Sequence, residues 1–166
     1  MKKIQILNTG GTFNKQYNLL NGNLEIYKNN NIIKNILSKI YLSNKLPDIK
    51  GIIFKDSLDI TNKDREDIVK FIQKSEFKNI IIVHGTDTMD KTAKLLAKNI
   101  KNKTVVLVGA MKPFSYDNIE ATGNLCMAIG FLKAKPKSNI YISMSGIVKK
   151  YDKIQKNYKK GLFECL

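Results

Sequence analysis

At 166 residues and 43% hydrophobic composition, the chain is long enough for one domain that buries roughly two-thirds of its unfolded surface, which excludes disorder. Its two cysteines, Cys126 and Cys165, have neither the number nor the spacing for a disulfide framework or a zinc site, so both read as free thiols in a reducing compartment. Lys and Arg total 29 against 14 Asp and Glu, a formal charge of +15, but Arg65 is the only arginine; lysines spread among asparagines read as a lysine-rich composition rather than a nucleic-acid site, which favours the arginine fork.

In chain order, Ile4-Gln5-Ile6-Leu7 is too short for a secretory signal and reads as a first strand over residues 3–8, closed by the turn Thr9-Gly10-Gly11-Thr12. Residues 14–23 read as a polar loop with two possible turns. Ile32, Ile33, Ile36, Leu37 and Ile40 recur at helical spacing over Asn30 to Tyr41. Gly51 to Phe54 is the second core strand. Thr61 then caps a helix through Ile68, Val69 and Ile72, with Asp64 three residues after the cap. Ile80 to Val83 is a continuous apolar run, the mark of a buried parallel strand. Helices over residues 88–99 and 118–133 alternate with strands over 104–108 and 139–144, and a Lys-rich tail follows. No apolar stretch reaches the ~18 residues of a membrane span, so a soluble, cytoplasmic protein without membrane contact is expected. The alternation predicts a single α/β domain over residues 1–166, Rossmann-like or flavodoxin-like, with a mainly parallel five-stranded sheet and helices on both faces.

Ligands of such sheets bind beyond the carboxyl ends of the strands. Here those ends read Thr9-Gly10-Gly11-Thr12, Asp56-Ser57-Leu58-Asp59, His84-Gly85-Thr86-Asp87-Thr88 and Gly109-Ala110-Met111-Lys112-Pro113. Hydroxyls and carboxylates therefore share one rim. Gly10-Gly11 lets backbone amides approach a ligand, and equally suits a tight turn with Thr12 as a cap. Neither G-x-x-x-x-G-K-[ST] nor G-x-G-x-x-G occurs, which disfavours a phosphate loop. A threonine hydroxyl attacks only when a base takes its proton, and the developing oxyanion needs fixed donors. Thr86 and Asp87 supply a second hydroxyl and a carboxylate; a lysine kept neutral by its surroundings could be the missing base. His84, the only histidine, follows a buried strand and reads as structural. It has no partners for a serine triad or a metal site, so no metal and no cofactor are expected.

These motifs resemble the bacterial-type L-asparaginase/glutaminase family, in order and over nearly the whole chain. Thr9-Gly10-Gly11-Thr12 is similar to the family's first signature and His84-Gly85-Thr86-Asp87-Thr88-Met89 to its second. Leu107 to Pro113, with Asn124 further on, resembles the segment that follows, and Asp56-Ser57 lies where the family carries its substrate-binding serine. The resemblance implies a nucleophilic Thr12 and a second reactive centre in which Thr86, Asp87 and a lysine cooperate. It also implies Gly11, Ser57, Gly85 and Asp87 at the substrate, with Leu58 where many members carry a polar contact. Ile154-Gln155-Lys156 is similar to the family's lysine pattern, with Gln155 in place of a threonine, and selects Lys156. Tyr17 matches the mobile-loop tyrosine that helps activate the nucleophile, with Tyr27 as the alternative. Full-length members carry a C-terminal domain that completes a neighbouring protomer's site and assemble as dimers or tetramers. The chain thus resembles a half-length member, the N-terminal domain only, and a homo-oligomer is expected.

The implied activity is hydrolysis of asparagine or a related small amide to the acid and ammonia. The alternative is a non-catalytic module that binds small acids or amides. An RNA-linked role rests on charge alone and ranks third.

Overall fold

The computed structural model describes residues 3–40 and 46–166. Strand β1 (Ile4–Gly10) is followed by a short hairpin of β2 (Lys15–Tyr17) and β3 (Leu24–Ile26), then by helix α1 (Asn31–Ile40). Tyr41, where this helix was expected to end, lies outside the described residues. Alternation then sets in, with β4 (Asp48–Lys55), α2 (Asn62–Lys74), β5 (Asn79–Val83) and α3 (Met89–Asn99). It continues through β6 (Thr104–Val108), α4 (Asn118–Lys133) and β7 (Ile140–Met144). The tail adds β8 (Ile147–Lys150) and a second hairpin, β9 (Ile154–Asn157) with β10 (Leu162–Cys165).

The main sheet has the order β4-β1-β5-β6-β7-β8. Its first five strands pair in parallel, as strands joined by long helical crossovers do. β8 pairs antiparallel with β7, so the sheet has six strands, not five. Ser145 and Gly146, at φ 52° and 77°, make the two-residue turn that reverses the chain without a helix.

Alternating residues of each central strand feed two separate cores. Ile81, Val83, Val106 and Val108 pack with α1 and α4, whereas Ile80, Ile82, Val105 and Leu107 pack with α2 and α3. A period of two along a strand sends neighbours to opposite faces, so a helix layer on each side buries both sets. Each such side chain, taken fully out of water, contributes roughly 1.5–3 kcal/mol. The expected cap at Thr61 is a full capping box: its hydroxyl accepts from Asp64 N–H while the Asp64 side chain accepts from Thr61 N–H.

Two expectations for irregular chain give way to hairpins. Residues 14–23 carry β2 and the start of a turn, with Lys15 facing Ile26 and Tyr17 facing Leu24. In the Lys-rich tail, Ile154 and Phe163 are buried against the α2 and α3 core, and Phe163 N–H donates to Ser145 Oγ at 3.0 Å. Two apolar anchors are enough to seat a strand pair on a core already formed by the sheet.

Candidate active site

In the parallel part of the sheet, β1 lies between β4 and β5, so the chain leaves β1 to one side first and then fills the other. The crevice at this reversal, beyond the carboxyl ends of β1 and β5, is where open α/β sheets bind ligands. Here the loops after those two strands touch. A Cβ built on Gly11 would stand 2.4 Å from both the Cα and N of Gly85, and Gly11 has φ 72°. A Cβ on Gly85 would in turn stand 2.6 Å from Ser57 Cβ. Close approach of three loops, rather than a ligand, thus requires both glycines. Thr12 and Thr86, each the next residue in its loop, are brought to the same crevice.

Lys156 reaches this point from the second hairpin. Its ammonium donates to Thr86 Oγ1 at 2.8 Å and to Asp87 Oδ1 at 2.6 Å, with only 11% of the side chain exposed. The ring of Tyr158 lies 5.1 Å from the same ammonium, and its hydroxyl donates to the Asp87 carbonyl at 3.2 Å. Because Thr86 Oγ1 accepts from Lys156, the hydroxyl's own proton is free to point elsewhere. Lys156 thereby orients Thr86 as a donor.

Beneath the crevice a buried relay holds the loops. His84 Nδ1 lies 2.8 Å from the Gly85 carbonyl, which can only accept, so this nitrogen carries the proton. Nε2 then accepts from Thr92 Oγ1 at 2.9 Å. Thr92 accepts from Arg65 Nε at 3.2 Å, and Arg65 Nη2 donates to Thr88 Oγ1 at 2.9 Å. Thr88 donates to the Ser57 carbonyl at 2.7 Å. Ser57, fully buried, accepts the Asp87 N–H on its Oγ at 3.2 Å. Burial pushes the His84 imidazole down to about 4, against a hydrogen bond to Gly85 that favours the charged form. His84 is therefore neutral at physiological pH and structural, as its position after a buried strand suggested.

The outer side of the crevice is formed differently. Gly11 N–H donates to the Lys55 carbonyl at 2.9 Å, so it cannot also hold an oxyanion. Lys15 and Asp56 form an ion pair at 2.7 Å, which ties the first hairpin to the Ser57 loop. Burial alone would raise the Asp56 carboxyl, but hydrogen bonds from Lys15 and Leu58 N–H hold it below its ordinary value. Tyr17 is 48% exposed, and its hydroxyl lies 3.5 Å from the Cβ position of Gly22, at the hairpin turn rather than at Thr12. Tyr27 is half-buried and its carbonyl accepts from Asn14 Nδ2. Leu58 is 72% exposed, and its side chain offers no polar contact.

The model of the family described as "Asparaginase, N-terminal" matches residues 3–162. The chain belongs to this family. It is 29% identical over 150 residues to L-asparaginase 2 of Escherichia coli, covering 84% of this chain and 41% of that sequence. It is 27% identical over 149 residues to one component of the glutamyl-tRNA(Gln) amidotransferase of Methanococcus maripaludis, covering 88% of this chain and 35% of that sequence. The solved thermostable L-asparaginase of Thermococcus kodakarensis superposes with a TM-score of 0.85 at 26% identity, over 99% of this chain and 51% of that one. The chain thus spans about half the length of that structure, and less of the two sequences.

The inner part of the crevice gathers residues from four loops and hairpins. Gly11, Thr12, Ser57, Gly85, Thr86, Asp87 and Lys156 come together there, whereas Tyr17 stands apart. Asn124 is buried and donates to the Gly109 carbonyl at 3.0 Å, fixing the loop after β6. Sequence reasoning gave no site role to Arg65, Thr88, Thr92 and Tyr158. The one available signal was that the chain's single arginine falls on the face of α2 carrying Ile68, Val69 and Ile72, where a cation is buried only with partners. Among the described residues, no helix is long and apolar enough to cross a membrane.

Proposed function

We propose that the domain hydrolyses the side-chain amide of L-asparagine or a related small amide, giving the acid and ammonia, with Thr12 as nucleophile. The observation that carries this reading is the Lys156 ammonium shared between Thr86 and Asp87 beside the Gly11–Gly85 contact. Thr12 Oγ1 bonds to the amide carbon while the N–H groups of Thr12 and Thr86 take up the charge on the carbonyl oxygen. The hydroxyl proton passes to the nitrogen, the C–N bond breaks and ammonia leaves. Water then adds to the Thr12 ester, a proton returns to Thr12 Oγ1, and the acid departs. Thr86, oriented by Lys156, donates to the substrate, and Asp87 offers a carboxylate to an α-ammonium. An amidotransferase component among the relatives fits release of nitrogen from an amide, without selecting which amide.

Exposed Leu58 and half-exposed Tyr17 leave the outer wall open. We propose that a second copy of the chain or a further domain closes it, in a dimer or tetramer. The same openness favours a second reading, a small-acid or amide-binding module without efficient turnover.

Ammonia release from asparagine, glutamine and analogues lacking the α-amino group, with Thr12→Ala as control, tests both. Turnover that falls at least ~1,000-fold in a folded Thr12→Ala protein is expected. Equal turnover in that variant would overturn the mechanism. No turnover in the unmodified protein, together with thermal stabilisation by aspartate, would establish the binding module instead.

A further inference from the structure

The opposite, amino-terminal end of the sheet carries a feature that the amide chemistry does not use. Lys3 directly precedes β1, Lys78 precedes β5, and β1 and β5 pair from Ile4 opposite Asn79. β6 starts opposite the same Asn79, with exposed Lys101 in the loop leading into it. Lys137 follows α4, and its carbonyl accepts the Tyr141 hydroxyl at 2.8 Å, while Lys150 lies opposite Tyr141 across β7 and β8. All five of these lysines are exposed. Strand spacing of about 4.8 Å places them along a row of about 19 Å from β1 to β8.

Three further observations concern this row. The ion pairs of Lys15, Lys55, Lys63, Lys70, Lys112, Lys156 and Lys160 lie at the carboxyl end of the sheet, in the hairpins or on α2, and none of the five lysines of the row takes part in them. Lys103, beside the row, donates to the carbonyls of Ser75 and Phe77; burial, then the charge of Lys78, hold its ammonium below the ordinary value. Finally, a shallow cavity of about 260 Å³ opens between Lys3 and Lys78, walled by Phe77 and by one carboxylate, Glu76.

We propose that this rim binds single-stranded nucleic acid, with the lysine row along the phosphates and Phe77 as a stacking face for one base. An unpaired row of cations gains free energy by releasing counterions from a polyanion. An aromatic ring beside cations is the combination that single strands use. Lysine makes point-charge contacts without the planar fork that reads guanine, so binding is insensitive to base sequence. The site is separate from the crevice, so its failure would leave the amidohydrolase reading untouched.

The test is fluorescence anisotropy of a labelled oligouridine of about twelve nucleotides, at salt from about 50 to 200 mM. Four proteins are compared: unmodified, a Lys78→Glu/Lys101→Glu/Lys137→Glu variant, a Lys34→Glu/Lys91→Glu/Lys94→Glu variant with the same charge change on α1 and α3, and a Phe77→Ala variant. Thermal unfolding establishes that each is folded. The rim variant is expected to bind at least ~10-fold more weakly and to lose about 2 from the slope of log K against log salt, while the helix-face variant keeps the slope within about 1. Phe77→Ala is expected to weaken binding at least ~5-fold with the slope unchanged. Equal losses in the two charge variants would overturn the proposal, because diffuse charge would then suffice. So would the absence of salt-sensitive binding, or stronger rim-dependent binding to vesicles of anionic phospholipid than to the oligonucleotide.

Discussion

The two ends of the sheet are built from the same strands yet handle positive charge in opposite ways. At the carboxyl end lysines are paired: Lys15 with Asp56, Lys55 with Asp64, Lys112 with Asp117 and Lys156 with Asp87. Lys15–Asp56 and Lys156–Asp87 tie a hairpin to a loop, Lys55–Asp64 ties β4 to α2, and Lys112–Asp117 closes the loop after β6. At the amino end Lys3, Lys78, Lys101, Lys137 and Lys150 stand in water, outside every ion pair among the described residues. A charge at the first end is part of the structure, whereas a charge at the second changes the field outside it. Net charge alone cannot distinguish these uses, because it sums over both.

The sharpest break in this comparison comes from Lys156→Met. It removes the cation on Thr86 and Asp87 while keeping length and apolar volume, and turnover should fall about 1,000-fold if Lys156 takes part in catalysis. Steady-state ammonia release measures it, and a fall below about 10-fold would reduce Lys156 to a structural tie.

The buried relay provides the next largest effect, through pH. His84 has a folded pKa of about 4 against an ordinary 6.5, so between these values the unfolded chain takes up a proton that the folded protein refuses. Stability is therefore fully present above about pH 6.5 and falls by about 3 kcal/mol as pH drops to 4. Urea unfolding across this window measures the slope. His84→Gln should flatten it, and an unchanged slope would place its origin in other groups.

The amino-terminal rim should give the smallest effect on stability. Lys78→Glu/Lys101→Glu removes no ion pair and no packing, so unfolding free energy should change by less than about 0.5 kcal/mol per site. A larger loss would mean that this rim, too, is structural.

Legibility in the sequence followed the range of each interaction. Ile80 to Val83 could be read as a buried strand because its neighbours are apolar on both faces, and the Thr61 cap because its partner is three residues away. Ser145-Gly146 was a readable turn signal, but it lay at the edge of a polar tail that held little periodicity. The threonine-rich loops pointed to the crevice because a parallel sheet sends every strand end to one side. Lys156 was reachable only through family resemblance, since nothing nearby in the chain marks it among the other lysines of its segment. Tyr158 lies just past the end of β9, where no strand pattern could place it, and Arg65 meets Thr88 and Thr92 only when α2 packs on α3.

What the sequence determined by itself was local: the period of two that buries both faces of β5 and β6, the helical stripes, the cap, and the glycine turns beside Thr12 and Thr86. What tertiary structure decided was which distant residues became neighbours. The bond from Lys156 to Thr86 spans 70 positions, and the lysine row gathers residues from position 3 to position 150. Both depend on strand order, because strand order alone determines which loops share an end of the sheet and which stand side by side.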